Sequence, residues 1–204
     1  MTRAKLNEEK AENDCFIFIL GYSSADSAFL HLRDFAYGGF HSLNAASESP
    51  AVGTMAPDFT LISESGTPVS QHDFRGKWVV LYFYPEDFTH GCTIEAHSFQ
   101  RALAQYDQKN AVIVGVSLDT TGSHKELCAK EGLHFKLLAD TQHKVAAMYD
   151  SQMQHGGTTV AARNTFVINP QGEVVKVFLH VDPTAHSQQA LAALDGLEGS
   201  AVSQ

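Results

Sequence analysis

The pattern of apolar and polar positions is regular from residue 51 onward, where short apolar runs alternate with amphipathic stretches. The run 77–84 is apolar almost throughout and rich in β-branched and aromatic residues, and Pro85 stops it. These features predict a buried central strand. The segment 169–172 reads Asn-Pro-Gln-Gly and predicts a hairpin turn. Strands are predicted over 59–61, 77–84, 111–118, 137–138, 164–169 and 174–179.

Helical spacing separates these strands. Ile94, Phe99 and Leu103 share one side of the first helix, and Ser123 is a candidate N-cap for the second. The order strand, helix, strand, helix, hairpin, helix predicts an α/β fold, with a mixed central sheet flanked by helices on both faces. This is a thioredoxin-like layout, whose site is expected where the first buried strand meets the first long helix. Helices are predicted over 93–106, 122–131, 142–149 and 185–197.

The first fifty residues have a different character. A polar start, a short apolar patch and Gly- and Ser-containing turns lead to an Ala/Ser-rich stretch that ends at Pro50, which suits a linker. We predict an N-terminal extension over 1–50 and a folded domain over 51–204. The extension is interpreted either as a poorly ordered segment or misplaced start, or as an element docked on the domain.

Composition narrows the class of protein. The 204 residues are 44% hydrophobic and carry a net charge of −9, which suits a globular domain and lacks the basic footprint of a nucleic-acid binder. No apolar run approaches a membrane span, and the start is acidic where a secretory leader is basic. Three cysteines are too few for a disulfide scaffold. We therefore expect no membrane partner, and the cytoplasm as the compartment.

Cys92 is the candidate nucleophile. It follows a loop bounded by Pro85 and begins a helix, where unpaired amides and the positive end of the helix dipole favour a thiolate over a thiol. The alternative is a small buried hydrophobic residue, the usual fate of a single cysteine. A junction between loop and helix is a poor place for such burial, so the position favours function.

Neighbouring residues support this interpretation. Thr89 can direct a hydroxyl at the sulfur or a substrate oxygen, and Pro85 can shield the site. Glu95 lies one turn after Cys92 and can pair with Arg163, which stands beside a buried strand where an unpaired cation would be costly. Taken singly, Thr89 is better explained as an ordinary turn hydroxyl, and Glu95 as an exposed first-turn carboxylate that complements the helix dipole.

Together these residues resemble a known family. Residues 85–95 read Pro-Glu-Asp-Phe-Thr-His-Gly-Cys-Thr-Ile-Glu, which matches the peroxiredoxin signature P-x-x-x-T-x-x-C. The flanking residues are similar to the peroxiredoxin Q branch, also called bacterioferritin comigratory protein. The resemblance covers about residues 51–198. Further matching blocks are 56–61, 82–84, 117–119 and 163–166.

This resemblance implies thiol peroxidase chemistry. Cys92 would attack a peroxide oxygen and become a sulfenic acid, while Thr89 and the Cys92 amide hold the peroxide. Arg163 would stabilise the thiolate and the transition state, Glu95 would orient Arg163, and Pro85 would limit solvent. Hydrogen peroxide and organic hydroperoxides are the implied substrates. Thioredoxin or a glutaredoxin-type dithiol protein is the implied reductant, and a monomer the implied state.

Two positions depart from the family pattern. His90 replaces a proline that is common before the Gly-Cys pair, and we interpret it as an exposed loop residue rather than a proton-transfer group. His97 occupies the position where many relatives carry a resolving cysteine. Cys128 matches a subgroup with the resolving cysteine in the following helix; otherwise it is a buried cysteine of a one-cysteine enzyme. Bridging two helices would require local unwinding.

Rival functions remain open at this point. A general thiol–disulfide oxidoreductase is disfavoured because Cys92 begins Cys-Thr-Ile-Glu rather than C-x-x-C. A binding module or holdase chaperone would use the apolar patch of the extension. No nucleotide, haem, flavin or metal motif is present in the sequence, so no cofactor and no metal are expected.

Overall fold

The computed structural model describes residues 49–201. Most of the predicted extension, residues 1–48 with Cys15, therefore lies outside the described residues. Nine strands are present within the described range. In chain order they are β1 Thr60–Ser63, β2 Pro68–Ser70, β3 Trp78–Phe83, β4 Ala111–Ser117, β5 Lys136–Ala139, β6 Gln152–His155, β7 Thr158–Ala161, β8 Thr165–Ile168 and β9 Val174–Phe178.

Within the same residues, four α-helices follow the predicted order: α1 His90–Gln108, α2 Thr121–Glu131, α3 Lys144–Met148 and α4 His186–Ala201. Helix α1 begins three residues earlier than predicted, so Cys92 lies inside its first turn. The prediction that Ser123 caps α2 is wrong, because the Thr120 hydroxyl accepts the Ser123 amide and occupies the N-cap position. Either hydroxyl residue suits that turn, and only the backbone path distinguishes them.

Seven strands form one mixed sheet in the order β2-β1-β5-β4-β3-β8-β9. The central strands β3, β4 and β5 are parallel, β8 pairs antiparallel with β3, and β9 pairs antiparallel with β8. Parallel neighbours require crossover connections, which α1 and α2 provide. The predicted α/β, thioredoxin-like fold with a mixed sheet is confirmed.

The sheet separates two hydrophobic clusters. Val80, Tyr82 and Tyr84 face one cluster, which contains residues of α1, α2 and α4, while Val79, Leu81 and Phe83 face a second cluster that includes α3. This alternation is the period of a strand buried on both faces. The continuous apolar run of β3 is thus explained, and helices cover both faces as predicted.

Sequence patterning predicted neither β2 nor the β6–β7 hairpin. Gly156 and Gly157 form the turn between β6 and β7, with φ values of 58° and 83°. Paired positive φ angles are the geometry of a tight hairpin turn, and a Gly-Gly pair is its sequence signal. The short, polar strands on either side obscured that signal, because every residue of β6 is exposed.

The sheet topology places the loop before Cys92 at the carboxyl end of β3. Strand β3 ends at Phe83, the loop 84–89 crosses the sheet edge, and α1 begins at His90. The carboxyl ends of parallel strands in open α/β sheets are the usual position of ligand sites. None of the helices within residues 49–201 combines the length and apolar character of a membrane span.

Candidate active site

Cys92 lies at the third position of α1 and is 4% exposed, so the expectation that this junction is a poor place to bury a cysteine is wrong. Thr89 occupies the N-cap position, and the Thr93 amide is the first to bond back, to the Thr89 carbonyl. The amides of the first turn, that of Cys92 included, therefore have no partner within the helix. The Cys92 side chain packs in the hydrophobic cluster formed by β3, α1, α2 and α4. The backbone amide of Cys92 is available to donate a hydrogen bond to a ligand.

Arg163 approaches the sulfur from the segment before β8. Its Nη2 lies 3.2 Å from the Cys92 Sγ, and its Nη1 donates to Glu95 Oε2 at 2.6 Å. The Val181 amide bonds to the Arg163 carbonyl at 3.0 Å and fixes the backbone at this point. One planar guanidinium therefore contacts both the sulfur and the carboxylate.

Glu95 is a fully buried acid. Burial raises the pKa of the Glu95 carboxyl to about 7, although the charge and hydrogen bond of Arg163 act to lower it. Among the described residues its second oxygen, Oε1, has no hydrogen-bond partner. The Glu95 carboxylate therefore orients Arg163, although burial of its charge is unfavourable. The Glu95 carboxyl loses its proton close to neutral pH.

Gly91 makes room for this arrangement, a role that sequence reasoning did not assign. A Cβ at Gly91 would lie 2.9 Å from Nη2 of Arg163, closer than real Cβ atoms approach their neighbours. Any larger residue would push the guanidinium away from the sulfur. Gly91 thus allows the Arg163 guanidinium to approach the backbone beside Cys92.

A cavity of about 260 Å³ opens beside Arg163. Thr89 and Pro85 form one wall, and the Thr89 hydroxyl donates to the Glu86 carbonyl at 3.1 Å, so its lone pairs remain available to accept from a ligand. The opposite wall comes from the β6–β7 hairpin, which sequence reasoning missed. That wall consists of Met153, His155 and Val160.

Cys128 lies on α2, half-buried against the same hydrophobic cluster as Cys92. Both cysteines are free thiols. Burial, together with the nearby carboxylates of Glu64 and Asp87, raises the pKa of Cys128 to about 11. The two sulfurs therefore share one side of the sheet but belong to separate helices.

The two histidines that depart from the family pattern occupy different environments. His90 is exposed at the start of α1. His97 Nε2 lies 3.0 Å from Glu131 Oε2 and so joins α1 to the last residue of α2. The position of an alternative resolving cysteine is thus occupied by a contact between the two helices.

The AhpC/TSA family matches residues 52–177, more than half of the chain and the whole of the region that carries this site. The chain is a peroxiredoxin. As a member of that family it is a thiol peroxidase, an oxidoreductase with an antioxidant role.

Curated relatives place this peroxiredoxin near one branch. A Helicobacter pylori protein named as a bcp peroxiredoxin is 41% identical over 151 residues, covering 72% of this chain and 99% of its own length. Peroxiredoxin Bcp of Bacillus subtilis is 37% identical, covering 70% and 94%. The chloroplastic peroxiredoxin Q of Sedum lineare is also 37% identical, covering 72% and 78%.

Solved structures agree with this assignment. A peroxiredoxin Q mutant from Xylella fastidiosa superposes with a TM-score of 0.71 at 29% identity, covering 74% of this chain and 99% of that one. The peroxidoxin BcpB of Mycobacterium tuberculosis gives a TM-score of 0.67 at 31% identity, covering 72% and 97%. The peroxiredoxin described here therefore resembles the Bcp/peroxiredoxin Q branch in both sequence and fold.

Proposed function

We propose that this peroxiredoxin reduces hydrogen peroxide and organic hydroperoxides with Cys92 as the peroxidatic cysteine. The supporting observation is the 3.2 Å contact between Arg163 Nη2 and the Sγ of a buried cysteine in the first turn of a helix. A structure of the Xanthomonas campestris relative concerns alkyl peroxide reduction, at 32% identity and a TM-score of 0.66. That likeness supports organic hydroperoxides as substrates here.

In the first step the Cys92 thiolate attacks one oxygen of the peroxide. The S–O bond forms as the O–O bond breaks, and the leaving oxygen takes a proton to give water or an alcohol. The first-turn amides and the Thr89 hydroxyl hold the peroxide, and Arg163 stabilises the charge that builds on the leaving oxygen. Glu95 acts through Arg163 as a positioning residue, while Pro85 limits entry of water.

In the second step the Cys128 thiol attacks the Cys92 sulfenic acid. The S–S bond forms, and the sulfenic oxygen leaves as water with the thiol proton. Two structures of Xanthomonas campestris peroxiredoxin Q are cysteine-to-serine mutants, each at a different cysteine. The two mutated cysteines lie 36 residues apart in that protein, and Cys92 and Cys128 have the same separation here. This spacing supports Cys128 as the resolving residue.

A partner dithiol protein, thioredoxin or a glutaredoxin-type protein, then returns both cysteines to thiols. Such a cycle needs a reducing compartment, and the cytoplasm is the compartment we propose. We also propose that the working unit is a monomer, because both cysteines of the cycle face one hydrophobic cluster of a single chain.

The test is to add one equivalent of hydrogen peroxide to the reduced protein and map the cysteines by mass spectrometry. A Cys92–Cys128 disulfide is the expected product. Cys92→Ser should abolish the reaction, whereas Cys128→Ser should stop at the sulfenic or sulfinic acid of Cys92. A Cys92 thiol that survives the peroxide would contradict the peroxidatic assignment.

The alternative of a general thiol–disulfide oxidoreductase is less well supported by the geometry. In a C-x-x-C protein the residue three after the nucleophile is a second thiol. Here that residue is Glu95, which is buried and bound to Arg163. The arrangement therefore supports attack on a small peroxide rather than exchange within one motif.

A further inference from the structure

Asp87 joins the loop that precedes Cys92 to the first turn of α2. Its Oδ2 accepts the Ser123 hydroxyl at 2.6 Å and lies 2.8 Å from His124 Nδ1, while its Oδ1 accepts the Tyr84 hydroxyl at 2.8 Å. Its amide donates to Asp119 Oδ2 at 2.9 Å. Asp87 and His124 are both buried, so water does not weaken these contacts.

A second contact crosses the same boundary. Phe88 has φ 59°, a left-handed conformation that an aromatic residue rarely adopts. Lys130 Nζ of α2 lies 5.3 Å from the centre of its ring, in the geometry of a cation–π contact. The loop thus holds a strained residue whose side chain contacts the helix that carries Cys128.

Disulfide formation conflicts with this closed arrangement. Cys128 lies one turn after His124, in the last part of α2, and its sulfur is free although it faces the same cluster as Cys92. A disulfide requires the two Cα atoms within about 7 Å and the two sulfurs about 2 Å apart, whereas both thiols are free here, so the segments that carry them must rearrange before the bond can form. Contacts that tie α2 to the loop resist that movement.

We propose that Asp87, Ser123 and His124 form a latch that positions α2 in the thiol state and whose release limits the rate at which Cys128 resolves Cys92. This proposal rests on the proposed function. While the latch is closed, the Cys92 sulfenic acid persists, and a second peroxide can oxidise it to the sulfinic acid with loss of water or an alcohol. The strength of the latch therefore sets the ratio of disulfide to sulfinic acid.

Ser123→Ala is the most selective variant, because it removes only the hydroxyl that donates to Asp87. The backbone amide of residue 123 still donates to the Thr120 hydroxyl, so the N-cap of α2 is retained. Reduced protein is mixed with peroxide, quenched with acid at millisecond times and analysed by mass spectrometry, which separates sulfenic, disulfide and sulfinic forms. The disulfide step should accelerate up to about tenfold, the factor that one hydrogen bond to a charged group can supply. The sulfinic fraction at excess peroxide should fall.

The matched control is His72→Gln, which removes another Asp–His contact, the exposed pair of His72 and Asp58 with 3.1 Å between Nδ1 and Oδ2. It should leave the disulfide rate unchanged. His124→Leu removes the Nδ1 contact to Asp87 and provides a second weakened latch, and hydrogen exchange of the reduced protein should show faster exchange in α2 for both latch variants.

A disulfide rate in Ser123→Ala that equals the wild-type rate, or is slower, would overturn the latch. A different result would contradict the proposed function: wild-type protein would form no sulfenic acid, or no Cys92–Cys128 disulfide. The two failures are therefore distinguishable in a single set of quenched samples.

Discussion

At the scale of single residues, the two terminal nitrogens of Arg163 make separate contacts in the site. One nitrogen lies 3.2 Å from the Cys92 sulfur, and the other donates to Glu95 at 2.6 Å. Lysine has one charged nitrogen and cannot make both contacts in one plane. The sequence predicted the pairing of Arg163 with Glu95 from the cost of an unpaired buried cation, but it did not predict that Gly91 must lack a side chain for the guanidinium to reach the sulfur.

Replacing Arg163 tests this assignment. We expect Arg163→Ala to slow formation of the Cys92 sulfenic acid by about 100-fold or more, as loss of one donor to a developing oxyanion typically does. Stopped-flow measurement with hydrogen peroxide provides the rate. Arg101→Ala is the matched control, because Arg101 is an exposed arginine of α1 and should leave the rate unchanged. Equal rates in the two variants would contradict the role of Arg163.

Glu95 predicts a pH-dependent stability. Its folded-state pKa of about 7 lies above the unfolded value of 4.5, so its stabilising contribution is fully present below pH 4.5 and is lost as pH rises through 7. The free energy of unfolding of wild type minus that of Glu95→Gln should therefore fall by about 3 kcal/mol across this range. Urea unfolding of the reduced proteins at several pH values measures the difference, and a constant difference would refute it.

At the scale of elements, the β6–β7 hairpin forms part of the cavity beside Arg163. It lies outside the seven-stranded sheet, yet Met153 and Val160 face the cavity that Thr89 and Arg163 share. The Gly-Gly turn was visible in the sequence, but the destination of its strands was not. Strand β6 is exposed along its whole length, so it has no apolar pattern that indicates where the hairpin docks.

The hairpin predicts substrate selectivity. Met153→Ala removes apolar surface from the cavity wall and should lower the rate with a bulky aromatic hydroperoxide about fivefold, an effect of roughly 1 kcal/mol of lost burial. Hydrogen peroxide is too small to contact that wall, and its rate should change less than twofold. Met148→Ala is the control, since Met148 is similarly exposed but lines a different cavity. Equal losses with both peroxides would exclude the hairpin from selection of the substrate.

At the scale of the whole molecule, every contact named for the site lies within residues 49–201, and the family match spans 52–177. The boundary predicted at residue 51 stays a prediction, as does a separate binding role for the extension. The domain supplies its own buried sheet with clusters on both faces, which is the requirement for independent folding.

Removal of the extension tests both points. A chain that begins at residue 49 should fold and consume peroxide at a rate within about twofold of the full chain, because the residues that contact Cys92 and line the cavity are all retained. Peroxide consumption and aggregation of a model client are measured in parallel. Retained peroxidase activity with lost client protection would support a second, binding role for residues 1–48; lost peroxidase activity would contradict the predicted boundary.

The sequence alone determined the buried strands of the central sheet, the order of the helices, the family and the position of Cys92 at a helix start. Each depends on local chemistry: the continuous apolar run of β3, the proline that ends it, and a signature of eleven consecutive residues. The tertiary structure alone decided which distant groups meet. Arg163 lies 71 residues from Cys92, and His124 lies 37 residues from Asp87. Such contacts arise from the packing of crossover helices on a sheet, where chain separation places no limit on spatial proximity.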